Sequence, residues 1–236
     1  MALSGVSWLC GPGPAAAAPD VPELAALGRY GRVESVRTAA VHAGHGERLQ
    51  LLRGPLTAPQ PGLPPHEAAA RALAELRRAV PSLIPRELGV PEVQAVGTAH
   101  LLRYGQHHHG VPILDGELVL QLDERGAAVR LRRDVLEADE LARIDPRPTL
   151  SPLEAQRAVQ RLGRGDTAAA LLVIDRETAR LCYAVGTVDP RRFESALYLI
   201  DAHSGELLRR IERLALAAAP RAASGAAPQG SQGLGR

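Results

Sequence analysis

From residue 67 to 80, Ala69, Ala72, Leu73, Leu76 and Val80 recur at helical spacing, while Arg71, Glu75, Arg77 and Arg78 face the other way. Pro65 stands just before this stretch and Pro81 ends it, so a helix is predicted between two prolines. The pattern then changes to period two. Leu118, Leu120 and Leu122 alternate with Glu117, Val119, Gln121 and Asp123, and Ala127, Val129 and Leu131 alternate with Arg130 and Arg132. The string 123–126, ending in Gly126, joins the two runs as a hairpin. The run 100–106 supplies a third strand. Ahead of the helix, 32–39 and 48–52 read as short strands around a turn holding His42, His45 and Gly46, and PGLPP closes this opening block with three prolines.

A second helix-plus-strands block follows. Ser151-Pro-Leu-Glu154 has the spacing of a capping box, with Pro152 at the first helical position. Ala155, Ala158, Val159 and Leu162 form one face, and Gly163 ends the helix. Strands are predicted over 170–175, 180–188, 196–201 and 206–213. Short links between successive strands favour antiparallel pairing. The expected class is α+β: two small modules, each a helix packed on an antiparallel sheet, with flexible termini. The tail 215–236 is almost wholly Ala, Gly, Pro, Ser and Gln, too poor in apolar bulk to order itself. Residues 1–21 read as a weak signal or linker, because a basic start is missing and Gly and Pro interrupt the apolar run.

Composition narrows the function. The 28 basic and 26 acidic residues leave a net charge of +2, and aromatics make up 3% of the chain, which argues against a nucleic-acid partner. All the basic residues are Arg; Lys and Asn do not occur, so Arg abundance is a compositional bias and weak evidence for phosphate binding. No apolar run approaches the ~20 residues of a membrane-spanning helix. Cys10 and Cys182 have no Cys-x-x-Cys partner, and Cys182 reads as a small buried hydrophobe in a strand.

The eight His raise the question of a metal, but His66-Glu67 is followed three positions later by Ala70, so the zinc-peptidase string is absent. His107, His108 and His109, if on a strand, alternate between its faces and leave at most two ligands together, where zinc needs three or four. His100 and His203 read as strand or turn residues. Glu137, Asp139 and Glu140 read as a solvated, charged linker. Neither a nucleophile elbow nor a phosphate loop occurs. No residue is therefore assigned a catalytic, cofactor-binding or metal-binding role, and the chain is expected not to be an enzyme.

The string HLLRYGQHHHGVPILDGELVLQLDERGAAV, 100–129, resembles the propeptide (FTP) motif of thermolysin- and fungalysin-family zinc metalloproteases. The matching positions are Arg103, Tyr104, Gln106, Gly110, Pro112, Gly116 and Glu117; the His tract and Ile113 depart from the pattern. LSPLEAQRAV is similar to the opening helix of a PepSY domain. YLIDAHSGELL is similar to its closing hairpin, through Asp201, Ala202, His203, Ser204, Gly205 and Glu206. The resemblance implies an FTP-like domain over 22–147, a PepSY-like domain over 148–214 and a junction or linker over 215–236, both modules being cystatin-like. It implies a secreted, extracellular pro-region, acting as intramolecular chaperone and inhibitor of a thermolysin-like metalloprotease domain in cis or in trans, with the catalytic domain absent from this chain. The alternatives are a free-standing PepSY-type binding or inhibitor module and a fragment of a longer metallopeptidase precursor.

Overall fold

The computed structural model describes residues 22–38, 48–162, 166–189 and 194–214. After a 3-10 turn at Pro22–Tyr30 come β1 (Glu34–Thr38), β2 (Arg48–Arg53) and α1 (Pro65–Ala79), then a second 3-10 turn at Pro81–Leu83. The chain continues through β3 (Glu87–Leu88), β4 (Glu92–Val96), β5 (Ala99–His108), β6 (Val111–Leu122), β7 (Ala128–Asp134) and α2 (Ala138–Leu141). It ends with α3 (Pro152–Leu162), β8 (Asp166–Asp175), β9 (Arg180–Asp189), β10 (Glu194–Asp201) and β11 (Leu207–Leu214). The class is mixed α+β, rich in sheet and with few helices. Two compact units are present: Met1–Pro148 with Leu172–Cys182, and Thr149–Leu171 with Tyr183–Arg236. The tip of the β8–β9 hairpin thus belongs with the first unit, which the sequence pattern did not anticipate.

In the first unit the sheet runs β1-β2-β7-β6-β5, with β3 and β4 each paired to a different part of β5. Register places Leu52, Leu131, Leu120 and Leu102 side by side across four strands, and all four are fully buried. α1 covers this face with Ala68, Ala69, Ala72, Leu73 and Leu76. Pro65 lies inside the helix at its first turn, where a missing N–H costs nothing. A register shift between Gln121 and Leu122 inserts Val129 as a bulge, so Ala128 and Leu131 share the buried face in place of the strict 127–129–131 alternation. Arg133 follows on that same face and is 6% exposed.

β5 and β6 join through a two-residue turn. His109 and Gly110 both have positive φ (50° and 77°), and His108 pairs with Val111 across it. The His tract is therefore the end of one strand plus a turn. Further on, Gly105 pairs with Glu117 and His107 with Pro112, so Ile113–Gly116 leave the β5 ladder. There Ile113 and Leu114 pair in parallel with Ile174 and Asp175 of β8 instead, an exception to the antiparallel expectation.

In the second unit α3 packs on β10 through buried Ala155, Ala158 and Val159. Leu162, expected on that face, is the last described residue of the helix and is 57% exposed. Ser151 and Glu154 form the capping box: the Ser151 N–H and hydroxyl each donate to the carboxylate at 2.7 Å, and the Glu154 N–H reaches the hydroxyl at 3.4 Å. No helix among the described residues is long and apolar enough to cross a membrane.

Candidate functional site

The seven propeptide-motif residues share the β5–β6 region, and strand parity sets Arg103 and Glu117 on one face and Tyr104 and Gln106 on the other. On the open face, Glu117 sits between Arg103, at 3.4 Å, and Arg132, which also reaches Asp134 at 2.7 Å. Val90, Glu92, Tyr104, Gly105, Asp115 and Gly116 extend this surface into an open groove of about 400 Å³. On the buried face, Tyr104 is 6% exposed, and burial pushes its phenol up to about 12. Gln106, 1% exposed, donates from Nε2 to the Leu136 carbonyl and accepts the Leu136 N–H at Oε1, both at 2.8 Å. Its amide acts as one more strand residue, holding the chain just after β7.

Gly116 is required by contact: a Cβ there would lie 2.7 Å from Ile113 Cγ2 and 2.8 Å from its Cβ. Asp115, at φ 59°, turns the strand back after its excursion to β8. Gly110 completes the two-residue turn, whose Gly110 and His109 N–H groups both donate to Glu87 at 3.0 Å. Those bonds, led by that from Gly110, hold the Glu87 carboxyl below the usual range. Burial lowers the His108 imidazole. Pro112 is exposed on β6.

Asp201, Ala202 and Gly205 form a second cluster, between β10 and β11. The Asp201 carboxylate, 1% exposed, accepts the N–H groups of His203 and Ser204 at 2.9 and 2.8 Å. Gly205 occupies the left-handed position at φ 79° and returns its N–H to the Asp201 carbonyl. The Ala202 carbonyl accepts two N–H groups, Thr149 at 3.0 Å and Leu150 at 2.9 Å, and so fastens the entry to α3. His203 Nδ1 lies 3.1 Å from the Thr149 hydroxyl. The two motifs are thus structural junctions, each built around one buried polar side chain.

No three His, Cys, Asp or Glu side chains converge as a metal set among the described residues. His108 and His109 meet edge to face at 4.3 Å between ring centres, while His107 Nδ1 faces the Gly105 carbonyl at 3.3 Å. Cys182 is buried and forms no disulfide. Cys10, His42, His45, Gly163 and both terminal segments lie outside the described residues.

In the acidic segment after β7, Asp139 is solvated as expected, but Glu140 departs from the reading. Glu140 is 5% exposed and accepts the Glu137 N–H at 2.9 Å, starting α2. Arg133 reaches Glu137 at 3.1 Å and the Ser82 carbonyl at 3.1 Å. Its parity with Leu131 was the available signal for burial; its partners had none, since they come from distant sequence.

No family model matches the chain, and no curated protein matches it. Among solved structures, the Bacillus megaterium YpeB C-terminal domain is 14% identical, with 80% of this chain and 93% of that one covered at a TM-score of 0.37. The YpmB protein from Bacillus subtilis is 19% identical, with 63% and 97% covered at a TM-score of 0.25. Both likenesses are loose, and the resemblance to propeptide and PepSY motifs rests on the strings themselves.

Proposed function

We propose that this chain is a secreted, non-catalytic pro-region, with an FTP-like module followed by a PepSY-like module of cystatin-like form. Its role is to chaperone and inhibit a thermolysin-like zinc metalloprotease domain, in cis or in trans. The observation that carries this reading is what the buried motif residues do. Gln106 clamps the Leu136 peptide group, and Asp201 orders the β10–β11 turn, so both side chains brace backbone. The open face adds a groove that carries the Arg103–Glu117 ion pair beside the Glu92 and Asp115 carboxylates. Such a surface suits docking, with bond cleavage left to the partner.

The test is direct. The intact chain is mixed with a thermolysin-type protease, and both residual peptide hydrolysis and the recovery of activity after protease refolding are followed. Slowed hydrolysis or raised refolding yield at micromolar chain is the expected result. No effect on either would overturn the reading and leave a PepSY-type module with another partner.

A further inference from the structure

We propose that β4 pairs with β4 of a second copy of this chain, antiparallel about a twofold axis at Val93. Among the described residues β4 is bonded along one side only, to β5, and all five of its residues are exposed. Proteins blunt such edges with Lys, Pro, bulges or inward charges, and here a Pro, Pro91, stands just ahead of the strand. β4 has a regular register and a single charge, Glu92 at its first position. The buried row Leu52–Leu131–Leu120–Leu102 continues through its next register partner to Val93, which is 45% exposed. The row ends at an apolar side chain with no further strand beyond it among the described residues.

The sequence of the edge is self-complementary. Val90, Val93 and Val96 are 95%, 45% and 50% exposed, and they are spaced evenly about Val93. An antiparallel copy centred there sets Val93 against Val93 and Val90 against Val96 of the second chain. It also sets Glu92 against the neutral amide of Gln94. A register placing Glu92 against Glu92 would oppose like charges, so charge favours the centred one. The backbone agrees. Gly97 and Thr98 form a two-residue turn closed by the Val96–Ala99 pair, so the amide groups of Val93 and Ala95 point away from β5. Ala95 then meets Pro91 of the second copy, whose carbonyl accepts although its N–H is missing. The contact is isologous and uses up both edges, so it closes at two chains.

Sedimentation equilibrium of the intact chain should show a reversible approach to twice 25.0 kDa as concentration rises. Amide exchange at Val93 and Ala95, but not at Gln94, should slow in parallel. Val93→Arg should return the chain to monomer, and at concentrations where the wild type is itself monomeric it should leave the thermal midpoint unchanged, since the side chain is already half in water. Gln94→Arg should tighten the dimer by about fivefold and Gln94→Glu loosen it by about as much, because each substitution meets Glu92 twice across the axis. A chain that stays monomeric at every soluble concentration would overturn the proposal, as would a dimer indifferent to Val93→Arg. Gln94→Arg and Gln94→Glu moving affinity in the same direction would also refute it. A monomer that instead binds an added extended peptide at β4 would assign the edge to a different partner.

Discussion

Replacing Gln106 by Ala removes both hydrogen bonds that the buried Leu136 peptide group makes with that side chain. A buried N–H or C=O left without a partner costs about 1–3 kcal/mol, so the two together cost about 2–6 kcal/mol. The segment could escape this penalty by peeling away to reach water. However, Val135 and Leu136 are 5% and 2% exposed, and exposing such side chains costs about 1.5–3 kcal/mol each. Peeling is therefore no cheaper, and the loss should appear in global stability, where the whole margin is about 5–15 kcal/mol. Urea titration should show a lower midpoint for Gln106→Ala with an unchanged slope.

Gln106→Glu sharpens the test. The substituted side chain matches the amide in shape, but it can donate to the Leu136 carbonyl only when protonated. Burial and that bond both raise the folded-state carboxyl pKa above its unfolded value. Between the two values the folded chain binds more protons, so stability relative to wild type falls as pH rises through this window and recovers as pH drops toward the unfolded pKa of about 4.3. A loss under about 0.5 kcal/mol for Gln106→Ala, within the range of an ordinary surface substitution, would refute the clamp. A deficit in Gln106→Glu that does not shrink with acid would do the same.

Gly116→Ala should destabilise by about 1–3 kcal/mol in urea titration, the range for overpacking, because its Cβ would fall within 2.8 Å of Ile113; a neutral result would mean that the β6 excursion adjusts freely. In the capping box, the Ser151 N–H and then its hydroxyl hold the Glu154 carboxyl below the usual range. Its stabilising contribution is therefore present above the unfolded pKa and lost as pH falls through the folded one. Ser151→Ala should move the Glu154 carboxyl titration, followed by NMR, upward toward the ordinary Glu value. At the alkaline end, the Tyr104 phenol is raised to about 12 by burial, so stability should fall as pH climbs past the unfolded value of about 10. Tyr104→Phe should flatten that fall in denaturant titrations from pH 9 to 11, while an unchanged slope would contradict the buried placement.

Local pattern alone determined much of this protein. Helical spacing and flanking prolines located α1, the Ser151–Glu154 spacing located the start of α3, and period two placed Leu118, Leu120 and Leu122 on one buried face. These features depend on neighbours a few residues apart, which one sequence displays directly. The motif strings likewise picked out Gln106, Gly116 and Asp201 as positions of consequence, without showing what each one holds. Tertiary structure decided those partners: Leu136 lies thirty residues from Gln106, and Ile174 reaches Ile113 only once β8 has folded back. It also decided that Glu140 is buried and that Val129 bulges, since each depends on what the rest of the chain brings alongside. A buried polar atom is satisfied by whichever group is close in space, and closeness across distant segments belongs to the folded chain.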